Sequence, residues 1–108
     1  MAARTRIAMP ETAKKGDVIE IKSLIQHVME TGYRRDYQGL AIPRDIIKTF
    51  VVTYAGEEVF RADMTQGIAA NPFFSFHTVA VETGDVVFKW TDLKGKTTTV
   101  ARRLTVTG

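Results

Sequence analysis

Period-two alternation of apolar and polar side chains runs through most of this chain. It constrains the fold more than any other feature, because a β-strand sends successive side chains to opposite faces. From Val18 to Ile25, Ile19, Ile21 and Ile25 fall on one face while Glu20 and Lys22 point the other way, as in a half-buried strand. Ile46, Phe50, Val52 and Tyr54 alternate through another strand. Ala55-Gly56-Glu57 then turns the chain, and Phe60, Ala62 and Met64 share a face of the partner, which predicts a hairpin. Phe73 to Val81 reads as a further strand, entered through Asn71-Pro72 and turned at Thr83-Gly84-Asp85. Val86, Phe88 and Trp90 share a face of the next, Asp92-Leu93-Lys94-Gly95-Lys96 turns again, and Val100, Leu104 and Val106 alternate in the last. Thr5 to Met9 reads as a short first strand, and the polar stretch from Pro10 through Asp17 as a turn. With about seven short strands and no helix between them, the apolar faces must be buried against another sheet. The expected fold is all-β: a single antiparallel immunoglobulin-like β-sandwich, residues 1–108 forming one domain, with Trp90 a candidate core centre.

Composition narrows the function. With 44% hydrophobic and 25% charged residues the chain is ordinary globular protein, and no apolar run approaches the ~18 residues of a membrane span. Cysteine is absent, so this chain itself carries no disulfide, thiol nucleophile, Cys-ligated metal or covalent sulfur. The net charge of +3 is spread along the sequence. Its densest basic stretch, Lys94, Lys96, Arg102 and Arg103, lies along a hairpin rather than on one helix or face, so neither nucleic acid nor membrane is the expected partner. The opening residues are basic but lack the apolar core of a secretory signal, which taken alone points to the cytoplasm.

Chemistry-bearing residues are sparse. His27 and His77 are too few for a zinc site and stand in no metal-binding spacing; His77 reads as a structural mid-strand histidine. Gly32 and Gly39 do not form a phosphate loop, and neither Ser23 nor Ser75 sits in a nucleophile turn. No catalytic residue, metal or cofactor is therefore expected. Residues 26–45 form the longest irregular segment, and His27, Met29, Glu30, Tyr33, Arg34, Arg35 and Asp36 give it the composition of a protein interface. The alternative is a solvated loop whose charges pair locally for little energy. In Asn71-Pro72-Phe73-Phe74-Ser75-Phe76, Phe74 and Phe76 share a face. Phe73 is left opposite, which implies a second buried face or a docking patch.

These two segments carry a resemblance. The chain resembles the SoxZ family, the smaller subunit of the SoxYZ sulfur-carrier complex of thiosulfate-oxidising bacteria, almost end to end. The shared features are the basic first strand before Pro10, Val18-Ile19-Glu20-Ile21-Lys22, His27-x-Met29-Glu30-Thr31-Gly32-x-Arg34-Arg35-Asp36, Ile42-Pro43, Phe60-x-Ala62-Asp63, Ala70-Asn71-Pro72-Phe73-x-Ser75-Phe76, Gly84 and Phe88-x-Trp90. Val28 departs from the proline expected after the histidine. The resemblance implies a noncatalytic subunit that binds and supports a SoxY-like partner. That partner's C-terminal Gly-Gly-Cys-Gly-Gly arm carries the sulfur intermediates, and contacts with other Sox enzymes are transient. It also implies a periplasmic location, reached by export with a signal-bearing partner. Partner-binding residues are then expected at His27, Met29, Glu30, Tyr33, Arg34, Arg35, Asp36, Asn71, Pro72 and Phe73. Two other readings stand beside it: an independent enzyme or binding module for nucleic acid or another anionic partner using loop 27–43, and a homo-oligomer of the isolated chain.

Overall fold

The computed structural model describes residues 4–27, 29, 37–40, 46–64 and 71–108, and these contain no helix. Eight strands follow one another: β1 (Thr5–Ala8), β2 (Thr12–Lys14), β3 (Val18–Ile25), β4 (Ile47–Tyr54), β5 (Glu57–Asp63), β6 (Phe73–Val79), β7 (Gly84–Asp92) and β8 (Thr97–Thr107). They form a three-stranded sheet in the order β1-β3-β6 and a five-stranded sheet in the order β2-β8-β7-β4-β5. The immunoglobulin-like sandwich expected from the alternation is the observed architecture, with one strand more than the sequence pattern shows.

The additional strand is β2, inside the segment that reads as a polar turn. It pairs parallel to the end of β8, with Thr12 opposite Thr105 and Lys14 opposite Thr107. Three residues with only Ala13 turned inward give no periodic signal, so backbone pairing alone defines this strand. Among the described residues it is also the one parallel pairing beside otherwise antiparallel ladders.

The core follows from strand parity. Ile19, Ile21, Ser23 and Ile25 face inward from β3, Phe50, Val52 and Tyr54 from β4, and Val86, Phe88 and Trp90 from β7. Because β4 and β7 are antiparallel, Phe50 lies opposite Trp90, Val52 opposite Phe88 and Tyr54 opposite Val86, so each cross-strand pair packs on the inner face. Phe50 stacks on Trp90 at a centroid distance of 4.8 Å and, across the gap between sheets, on Phe74 of β6 at 5.5 Å. A second bridge joins Phe60 of β5 to Phe76 of β6 at 4.6 Å. Both distances suit offset stacking. Two bulges interrupt the period. Lys48 is the extra residue of β4 opposite β7, which lets Ile46 and Ile47 both be buried, and Val59 is the extra residue of β5 opposite β4.

Two local devices close the frame. Ala55 and Gly56, at φ 51° and 84°, form the two-residue turn of the β4–β5 hairpin, whose backbone twist matches that of the strands. At the same end, the buried Tyr54 hydroxyl accepts hydrogen bonds from the Val81 N–H at 3.2 Å and the Glu82 N–H at 3.1 Å, and donates to the Glu82 carbonyl. One donor and two lone pairs are thereby all used, tying β4 to the crossing between sheets that precedes β7. Tyr54→Phe leaves two backbone N–H groups without their acceptor and is expected to lower stability by about 1–3 kcal/mol in urea unfolding. An unchanged midpoint would show that the hydroxyl does not hold this crossing. Phe50→Ala, which removes a fully buried ring that touches both sheets, is expected to cost about 3–5 kcal/mol by the same measurement.

Candidate partner-binding surface

The end of β3 and the start of β6 meet at one end of the sandwich, where the two segments singled out in the sequence are joined. The Ile25 N–H donates to the Pro72 carbonyl at 3.3 Å, and the ladder continues one step further as the Asn71 N–H donates to the His27 carbonyl at 2.7 Å. The Asn71 side-chain oxygen returns the contact by accepting from the His27 N–H at 2.8 Å. Asn71 reaches this geometry with φ at 54°, in the left-handed region that asparagine tolerates better than most residues. His27 Nδ1 accepts from the Met29 N–H at 3.0 Å, so the neutral imidazole carries its proton on Nε2. The Met29 sulfur in turn accepts from the Ile47 N–H at 3.3 Å. His27 therefore holds the Met29 amide beside the junction, and the Met29 side chain is itself seated in the core.

The ten expected partner residues divide accordingly. His27, Met29, Asn71, Pro72 and Phe73 are brought together at this junction; Glu30, Tyr33, Arg34, Arg35 and Asp36 lie outside the described residues. Met29 and Pro72 are buried, so they position the surface rather than form it. Phe73 is 55% exposed, while Phe74 is half-buried and Phe76 buried, as the parity of β6 requires. On that outer face Phe73 lies opposite Leu24, and Leu24 opposite Arg6, in a row across the three-stranded sheet. Leu24 and Arg6 belong to this surface but have no distinctive sequence signal. Only the strand pairing places them beside Phe73.

Other candidate chemistry resolves into structure. The buried Ser23 hydroxyl donates to the Phe74 carbonyl at 3.4 Å, a contact between strands rather than a nucleophile. His77 is exposed on the outer face, its Nε2 3.5 Å from Glu20, which also approaches Lys22 at 3.4 Å. Among the described residues no three His, Cys, Asp or Glu side chains are grouped so as to hold a metal ion. The basic hairpin is divided: Lys94 and Lys96 sit in the β7–β8 turn, where their N–H groups cap Asp92. Arg102 and Arg103, as neighbours on β8, point to opposite faces, and Arg103 approaches Asp85 at 3.4 Å. The Arg61 guanidinium is held above its ordinary range, chiefly by its hydrogen bond to Glu58, with the charges of Glu58 and Asp63 adding to it. A guanidinium is already charged throughout the physiological range, so this adds no pH dependence there.

Residues 6–102 match the family model described as sulphur oxidation protein SoxZ. No curated protein matches in sequence. Among solved structures, the chain is similar to the sulfur carrier protein SoxY from Chlorobium limicola f. thiosulfatophilum, at TM-score 0.68 and 15% identity over 96% of this chain and 79% of that one. It is similar to the superoxide reductase (neelaredoxin) from Ignicoccus hospitalis at TM-score 0.74 and 13% identity, over 97% and 82%. It is also similar to the CARDB domain of the PF1109 protein from Pyrococcus furiosus, solved in complex with di-metal ions, at TM-score 0.56 and 10% identity, over 97% and 94%. At such identities these three likenesses establish the shared sandwich and nothing of its use.

The junction generates a graded expectation. Asn71→Gly keeps the left-handed backbone and loses the acceptor, and should cost about 1 kcal/mol; Asn71→Ala loses the acceptor and strains the backbone, and should cost about 2 kcal/mol. Hydrogen exchange at the His27 amide should accelerate in both. If alanine proves no worse than glycine, the strained turn is not what orders this surface.

Proposed function

The chain belongs to the SoxZ family, and on that premise we propose that it is the noncatalytic subunit of a sulfur-carrier heterodimer. Its partner is a SoxY-like chain whose C-terminal Gly-Gly-Cys-Gly-Gly arm holds the sulfur intermediates of thiosulfate oxidation. The observation that carries this reading is the family match over residues 6–102. The lack of any cysteine agrees with it, because a chain without thiols must leave covalent sulfur to another subunit.

In this reading the sandwich is a rigid support. The exposed Phe73 offers apolar contact area at low entropic cost, and the His27–Asn71 bonds fix the strand junction beside it. Arg34 and Arg35 supply charge-assisted hydrogen bonds to acidic groups of an enzyme partner or to the anionic sulfur adduct. The heterodimer works in the periplasm, which this subunit reaches bound to its signal-bearing partner. Co-expression followed by cell fractionation checks this: the chain should move to the periplasm only when the partner is present.

Native mass spectrometry of the chain mixed with a SoxY-like partner tests the central proposal. A stable 1:1 heterodimer bearing sulfur adducts only on the partner is expected. No complex at micromolar concentration would overturn the proposal. Replacing both Arg34 and Arg35 by alanine should weaken complex formation or sulfur turnover by roughly tenfold, about 1.4 kcal/mol. Wild-type values for both would remove the arginines from the mechanism.

A further inference from the structure

Sheet edges present rows of unpaired backbone groups, and this chain blunts most of its described edges. β1 has four residues and carries Arg6, and β2 has three and carries Lys14. The part of β8 that β2 leaves uncovered holds Arg102 and Arg103. β5 is broken by the Val59 bulge and carries Glu57, Glu58, Arg61 and Asp63, with Arg61 2.9 Å from Glu58 and 3.9 Å from Asp63.

β6 has none of these protections. Its seven residues, Phe73 to Val79, contain no Asp, Glu, Lys, Arg, Pro or Gly, and its register with β3 runs without a bulge. At 3.3 Å per residue it offers an edge of about 23 Å. Among the described residues β3 is the only strand paired with it. The Ile25–Pro72 and Ala80–Asp17 bonds set the phase of that ladder, so Phe74, Phe76 and Thr78 exchange hydrogen bonds with β3. The N–H and C=O groups of Phe73, Ser75, His77 and Val79 therefore point away from the sheet. Above them on the outer face stand two exposed apolar side chains, Phe73 at 55% and Val79 at 45%, one at each end of the strand.

We propose that the open edge of β6, resting on the reading of a SoxY-like partner, is where that partner docks by antiparallel strand addition. The added strand continues the three-stranded sheet across the two subunits. Fold and charge support this occupant. A solved SoxY has the same sandwich architecture, so such a partner can bring an equivalent strand. Pairing two sandwiches through like edges places the ends of one strand against the reversed ends of the other, which sets Phe73 and Val79 over the two ends of the added strand. A second copy of this chain would bring +3 against +3.

Hydrogen exchange of the wild-type chain, free and mixed with the SoxY-like partner, tests the assignment residue by residue. In the heterodimer the amides of Phe73, Ser75, His77 and Val79 should slow by about 100-fold or more, while those of Phe74, Phe76 and Thr78, already bonded to β3, change little. Ser75→Pro, which removes one outward N–H and none that bonds β3, should weaken the heterodimer at least about tenfold. A heterodimer that forms with the four outward amides still exchanging at their free rate would overturn the docking edge and leave the carrier reading intact. Absence of any heterodimer would overturn both. Slowing of the same amides with rising concentration of this chain alone would assign the edge to a second copy and overturn the proposed occupant.

Discussion

The stack of Phe50 on Phe74 across the sandwich is the contact on which the rest of the molecule depends. The three-stranded sheet buries its inner face by laying β6 over β4 and β5, through the Phe50–Phe74 and Phe60–Phe76 stacks. Phe50 is the common member: it reaches Trp90 and Phe88 within its own sheet, Phe60 on the neighbouring strand, and Phe74 opposite. The surface chemistry follows from the same strand. Once Phe74 and Phe76 are committed to the core, alternation leaves Phe73 facing solvent, so the exposed aromatic at the candidate surface is a direct consequence of how the core is filled.

The ends of the strands show how this frame is held in register. At one end Tyr54 satisfies two backbone N–H groups of the crossing from β6 to β7; at the other, Asn71 and His27 extend the β3–β6 ladder beyond its last regular pair. Both are polar devices at points where a sandwich must change sheets, and the Tyr54 hydroxyl is itself buried with all its hydrogen-bonding capacity used, in keeping with the lack of unpartnered buried side-chain atoms among the described residues. Met29 makes the second of these anchors deeper, since its side chain joins the core from the start of the loop.

Much of this was legible residue by residue. The inward sets Ile19/Ile21/Ile25 and Val86/Phe88/Trp90, the Ala55-Gly56 hairpin and the outward turn of Phe73 all follow from local alternation and turn chemistry. The burial of Ile47 beside Ile46 was not, because a bulge at Lys48 shifts the parity and nothing in the neighbouring side chains announces it. β2 was hidden for a related reason: three residues are too short for a period, and their strand character comes entirely from Thr105, Val106 and Thr107 far along the chain.

The sequence by itself determined the fold class, the division of most strands into inner and outer faces, the absence of thiol chemistry and the family to which the chain belongs. These are local or compositional properties: alternating side chains select a face through backbone geometry within a few residues, whatever the strand lies beside. Only the tertiary structure decided which strands are neighbours. It set Arg6, Leu24 and Phe73 in one row, joined His27 to Asn71 across 44 residues, and left β6 at an edge while β3 lies inside the sheet. Pairing and edge status depend on hydrogen bonds between segments distant in the chain, and those bonds come from the backbone, which every residue but proline supplies alike.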